Sequence, residues 1–146
     1  MKKYTAEDLK GFEKDEEGWI MCPAGDYTEI ASFPERCSFG AGCSFGERCS
    51  FGEWCSFGAE CRLEGGHIAA PGYPLLTFGG FGSANRTTYA FNCSDGIVIR
   101  CGCFSGSLEE FREKVRERHG DTPFAIEYLV IADLIERRFS REGGAR

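Results

Sequence analysis

The sequence predicts a β-helix plus α+β chain: a short left-handed parallel β-helix of hexapeptide repeats, then a β-hairpin and two C-terminal helices. Three observations predict it. Cys37, Cys43, Cys49, Cys55 and Cys61 stand six residues apart, interleaved with a phenylalanine repeat of the same period. Beyond Ala69 the repeat stops, and two β-rich runs flank "SDGI". The stretches "SGSLEEFREKVRERHG" and "DTPFAIEYLVIADLIERRFS" carry helical periodicity behind helix-start residues.

A period of six suits neither one helical face nor a zinc knuckle, but it suits hexapeptide coils. The frame reads large-Gly-x-x-small-x. Phe33, Phe39, Phe45, Phe51, Phe57 and Leu63 fill the large slot, and the five cysteines fill the small slot. Weaker copies pair Tyr27 with Ala31 and Met21 with Gly25 upstream; downstream, His67 follows Leu63 in the small slot. The organisation expected is therefore an N-terminal arm over 1–20, the β-helix over 21–68 and an α+β domain over 69–146. Three hexads make a coil of about 18 residues, with about 4.8 Å between stacked strands. Phe33 should then stack on Phe51, and Phe39 on Phe57. Each buried Phe is worth about 1.5–3 kcal/mol of transfer free energy. The glycine after each Phe is expected to turn a corner. A pentapeptide-repeat helix is rejected because the spacing is six throughout.

Cysteines adjacent in the repeat lie on different sides of such a coil and cannot share one metal. Only stacked pairs approach: Cys37 with Cys55, Cys43 with Cys61, and Cys49 with His67. The reading adopted is small apolar filler beside large Phe. Of the outward pairs (Glu35-Arg36, Ala41-Gly42, Glu47-Arg48, Glu53-Trp54, Ala59-Glu60), most read as a solvated face. Trp54 is the exception. Stacking puts it beside Arg36, where a cation–π contact is available, and an outward Trp marks an interface. Such prisms commonly associate as trimers, so a homo-oligomer is expected, by fold analogy.

The hairpin is expected to turn at Asp95-Gly96, between strands over 87–92 and 97–104. That register sets Cys101 opposite Ala90 and Cys93 opposite Val98. A zinc site at Cys93, Cys101 and Cys103 would need an irregular hairpin. The first helix starts at Ser107 with Glu110 as its capping-box partner, buries Leu108, Phe111 and Val115, and ends at Gly120. The second starts at Thr122-Pro123 with an apolar face of Tyr128, Ile131, Leu134 and Ile135.

A net charge of −6 disfavours a general nucleic-acid surface. No run of eighteen apolar residues spans a membrane. The first residues carry no secretory pattern, so nine cysteines read as a reducing, cytoplasmic setting. The segment with most chemistry is "GGFGSANRTT": flexible amides, then Ser83, Asn85, Arg86, Thr87 and Thr88. Amides and hydroxyls donate to a phosphate, and Arg clamps it bidentately. It lacks the spacing and Lys of a P-loop. A glycine-rich connector with a structural Arg is the plainer alternative. Arg100, Tyr89 and Tyr73 are second-tier candidates, and His119 reads as a dipole partner at a helix end. No catalytic constellation and no cofactor motif stands out.

"CPAGDYTEI", "FPERCSFG", the "CSFGEW" repeats, "TFGGFGSANRTTYAFN", "GIVIRCGCFSGSLEEF" and "EYLVIADLIERRF" together cover nearly the whole chain. On these phrases the chain resembles small hexapeptide-repeat proteins encoded by bacteriophages and prophages of Gram-positive bacteria. The resemblance implies a phage protein that counters host defence, with sequestration of a nucleotide immune signal as one route. It carries over no residue role. The function expected is a non-enzymatic binder of a small phosphorylated ligand, sited where "GSANRTT" and the hairpin meet a neighbouring subunit. The alternatives are a structural or protein-inhibitor module docking a host or virion protein, and an acyltransferase-like enzyme.

Overall fold

A computed structural model describes residues 1–47, 49–82, 86–102 and 104–142, with Arg86, Arg141 and Glu142 described by backbone alone. The chain is sheet-rich, with parallel strands and two C-terminal helices. It divides into two compact units: 1–74 with 93–95, and 75–92 with 96–146.

The first unit opens with helix α1 (Ala6–Lys10), started by a capping box between Thr5 and Asp8. Short strands follow: β1 (Ile20–Cys22), β2 (Asp26–Tyr27), β3 (Ser32–Phe33), β4 (Cys37–Phe39), β5 (Ser44–Phe45), β6 (Ser50–Phe51), β7 (Ser56–Phe57) and β8 (Cys61–Arg62). They pair in parallel as three ladders visited in rotation, β1-β4-β7, β2-β5-β8 and β3-β6. Tyr27 pairs with Phe45, Phe33 with Phe51 and Phe39 with Phe57, each partner eighteen residues on. The repeat therefore sets the register. Strand β9 (Ile68–Ala69) runs antiparallel to β8, and Ala69 also pairs with Cys93. This covers a strand edge that would otherwise offer open N–H and C=O groups.

Aromatic rings fill the interior. Phe33 and Phe51 stack at 5.2 Å, while Phe39 meets Phe45 edge-on at 4.8 Å. Tyr27, fully buried, stacks on Tyr4 of the N-terminal arm at 5.1 Å and donates to the Pro23 carbonyl at 2.6 Å. Burial first of all pushes its hydroxyl pKa far up.

The upstream copies of the repeat differ from expectation. Met21 is 45% exposed, and its neighbours Ile20 and Cys22 point inward. Ile20 pairs with Cys37, seventeen residues on rather than eighteen. A one-residue change of register exchanges the faces of a strand. Ile30 is buried and Ala31 exposed, although Tyr27 and Ser32 on either side keep the eighteen-residue register.

The glycines after Phe do not turn the corners. Left-handed backbone falls two residues later, just before the cysteine: Arg36 (φ 60°), Gly42 (φ 79°), Trp54 (φ 64°) and Glu60 (φ 61°). The glycines are needed for close approach. A Cβ at Gly46 would stand 2.5 Å from the Thr28 carbonyl oxygen, and one at Gly58 2.7 Å from the Ala41 nitrogen.

The second unit contains β10 (Leu75–Phe81), β11 (Arg86–Cys93), β12 (Gly96–Cys101), β13 (Phe104–Ser107), α2 (Leu108–His119) and α3 (Pro123–Glu142). Its sheet order is β10-β11-β12-β13. Strand β10 was hidden in the sequence by its glycines. The turn between β11 and β12 is at Ser94-Asp95, and β12 already begins at Gly96, with φ 128°. The expected strand to Phe104 breaks at Gly102 (φ 60°) and returns as β13, which pairs antiparallel with β12. Cys101 accordingly meets Thr88, whose hydroxyl donates to its sulfur at 3.2 Å, instead of facing Ala90.

Helix α2 has the capping box expected at Ser107 and Glu110, and Gly120 caps its end. Thr122 accepts from the Ala125 amide at the start of α3. The core joins Ala90, Ile99 and Cys101 of the sheet to Leu108, Phe111 and Val115 of α2 and to Ala125, Tyr128, Ile131, Ala132, Ile135 and Phe139 of α3. Leu134, placed on the core face from sequence, is 48% exposed. At 100° per residue it falls well off the stripe through Tyr128, Ile131 and Ile135.

Candidate functional site

One face of the second sheet packs under the helices through Thr88, Ala90, Ile99 and Cys101. Side chains alternate along a strand, so Tyr89 and Arg100 belong to the other face. Thr77 pairs with Tyr89, and Arg100 with Ser105. The result is one row across four strands: Thr77, Tyr89, Arg100, Ser105. The Arg100 guanidinium carbon lies 4.8 Å from the Tyr89 ring centroid and 5.8 Å from that of Phe91. Thr77 and Ser105 are exposed; Tyr89 and Arg100 are half-buried. Thr87 is exposed two residues before Tyr89, on the same face.

The sequence-derived candidates fall in several places. Ser83 and Asn85 lie outside the described residues, as does the side chain of Arg86. Of the described residues in "GGFGSANRTT", Gly79, Gly80 and Phe81 close β10, and Arg86 opens β11, which runs antiparallel to it. There the Glu127 carboxylate accepts from the Gly82 amide at 2.8 Å. Thr88 is 1% exposed and turned to the core. Thr77 and Ser105 were not singled out from sequence; only the cross-strand register reveals them.

In the first unit Trp54 is 64% exposed. Arg36 does not lie over it: its guanidinium donates to the Glu17 carbonyl at 3.1 Å. Tyr73 is 57% exposed and stands 6.2 Å from the Trp19 ring. His119, at the end of α2, stacks on Tyr128 at 5.6 Å. His67 hydrogen-bonds Asp95 at 2.8 Å.

The eight described cysteines are all buried and form no disulfide with one another; Cys103 lies outside the described residues. Thiols hydrogen-bond to carbonyls twenty-one residues earlier, Cys55 to Pro34 at 3.5 Å and Cys61 to Gly40 at 3.4 Å. The bond from Cys22, with burial added, pushes Cys37 up to about 12. Burial pushes Cys93 up to about 12 as well, with Asp95 adding to it. In the pair Cys43 and Cys61, the Cys43 proton is held far above its ordinary range by the bond to Cys61 and by burial. Among the described residues no three His, Cys, Asp or Glu side chains converge as metal ligands, and no helix is long and apolar enough to cross a membrane.

No family model, no curated protein and no solved structure matches the chain.

Proposed function

We propose that the chain is a non-enzymatic binding protein for a small phosphorylated ligand such as a nucleotide, held on the helix-free face of the second sheet. The observation that carries this reading is Arg100 laid over Tyr89, with Thr77 and Ser105 beside them in the same row. The guanidinium is intrinsically planar, and its N–H fork matches bidentate contact with phosphate; its place over the Tyr89 ring restrains it there. Stacking lowers the ordering cost of binding, because the side chain is already restrained. The hydroxyls of Thr77, Thr87 and Ser105 supply further donors.

We read the first unit as a closed left-handed β-helix. The three ladders taken in rotation and the eighteen-residue register support this. The resemblance to phage hexapeptide-repeat proteins then supports an anti-defence role in the cytoplasm of a bacterial host, by sequestering a nucleotide signal. A second reading is favoured by Trp54. A 64% exposed tryptophan in a left-handed corner, where Gly42 serves in the equivalent slot, is an anchor for a protein partner.

A thermal-shift screen against cyclic and linear nucleotides tests the first reading. A ligand at about 100 times its dissociation constant stabilises the folded state by about 2.7 kcal/mol. A raised melting temperature with at least one phosphorylated compound is expected. A flat response across the panel rejects the reading and leaves the docking module.

A further inference from the structure

Helix α3 carries a second apolar face. Ile126, Val130 and Leu134 are 62%, 60% and 48% exposed. At 100° per residue they lie on the side of α3 opposite its core residues Tyr128, Ile135 and Phe139. Glu127 and Arg137 flank them on this same side, so the sequence Glu127, Val130, Leu134, Arg137 forms a seam with 3-4-3 spacing, the spacing of a coiled-coil contact.

That seam is complementary to itself. Consider two α3 helices antiparallel about a two-fold axis. The register that sets Val130 of one chain against Leu134 of the other also sets Glu127 against Arg137, and the symmetry makes each contact twice. Shifting so that Val130 meets its own copy sets Ile126 against Leu134 but parts Glu127 from Arg137, so both ion pairs are lost. Charge therefore selects one register out of the two that bury the apolar side chains. Asp133 is engaged on the flank of α3 nearer α2, where Arg112 donates to it at 2.8 Å and to Glu136 at 2.7 Å, so Arg137 meets Glu127 without competition from that pair. One oxygen of Glu127, Oε1, accepts from the Gly82 amide, which restrains the carboxylate at the edge of the seam.

We propose that α3 is the dimerisation surface of this protein and that its occupant is α3 of a second copy. The dimer is isologous, with Val130 and Leu134 as its apolar centre and two Glu127–Arg137 ion pairs at its ends. This surface is independent of the ligand row.

Sedimentation equilibrium of the full chain tests it, with circular dichroism confirming that each variant is folded. The wild type is expected to be dimeric at micromolar concentration, and Val130→Asp monomeric. Arg137→Glu sets a second carboxylate against Glu127 and should weaken the dimer at least tenfold. Glu127→Arg sets a second guanidinium against Arg137 and should do the same. An equimolar mixture of those two variants brings opposite charges back together at both ends of the interface in each mixed pair, so it should form heterodimers that neither forms alone. A wild type monomeric to high micromolar concentration overturns the proposal, whether or not it then binds lipid vesicles. So do folded charge variants that remain as dimeric as the wild type, or a mixture that stays monomeric.

Discussion

A Cβ on Gly52 would stand 2.4 Å from the backbone nitrogen of Glu35. Neither group can move without disturbing the hydrogen bond from Gly52 to the Phe33 carbonyl at 2.9 Å. Gly52→Ala is therefore expected to destabilise the first unit by about 1–3 kcal/mol, the usual cost of overpacking. Chemical denaturation measures this. A loss below about 0.5 kcal/mol would show that the strands are not so closely stacked.

Trp54 occupies a left-handed corner, φ 64°, with 64% of its surface in solvent. A non-glycine residue there costs about 1–2 kcal/mol. Trp54→Gly should raise stability by about 1 kcal/mol, since little burial is lost. The same change should abolish any protein interaction that uses this side chain. An equal or lower melting temperature would mean that Trp54 contributes to the fold itself.

Phe39 touches Tyr27, Phe33, Phe45, Phe51 and Phe57 through ring contacts of 4.8–5.9 Å. Phe39→Ala removes the centre of that cluster and should cost about 3–5 kcal/mol. The midpoint of urea unfolding reads it out.

The buried thiols make stability fall at high pH. Cys37 and Cys93 are held up to about 12, above the ordinary thiol value near 8.5. Below pH 8.5 both states keep these protons and the contribution is fully present. As pH rises through 9 towards 12 the unfolded state loses protons first, and stability declines by about 1.4 kcal/mol per pH unit for each thiol. Denaturation midpoints should thus be level from pH 7 to about 8.5 and fall beyond it. Ellman's reagent at pH 8 should label at most Cys103 in the native protein and all nine cysteines after unfolding.

The first unit was legible because a period of six repeats one local environment. Each Phe and Cys is buried for the same reason in every copy. What the repeat did not disclose was the cause of its glycines, since close approach of one strand to another is not visible along a single chain. The upstream copy at Met21 slipped by one residue, with Ile20 and Cys22 taking the inward positions, and at Ala31 the larger apolar Ile30 is buried in its place. In the second unit the caps at Ser107 and Thr122 were readable, being local chemistry. Strand β10 and the Ser94-Asp95 turn were not, because pairing across the sheet decided them. The candidate site follows the same division. Tyr89 and Arg100 were visible as residue types, whereas Thr77 and Ser105 join them only through cross-strand register.

Isothermal titration calorimetry with the best phosphorylated ligand from the thermal screen tests the central claim most directly, comparing the wild type with Arg100→Ala and Tyr89→Ala. Loss of a charge-assisted contact is worth about 1.5–3 kcal/mol, so Arg100→Ala should weaken binding by at least tenfold. Tyr89→Ala should weaken it less, by releasing the guanidinium from its stacked position. Unchanged affinity in a folded Arg100→Ala protein would contradict the account.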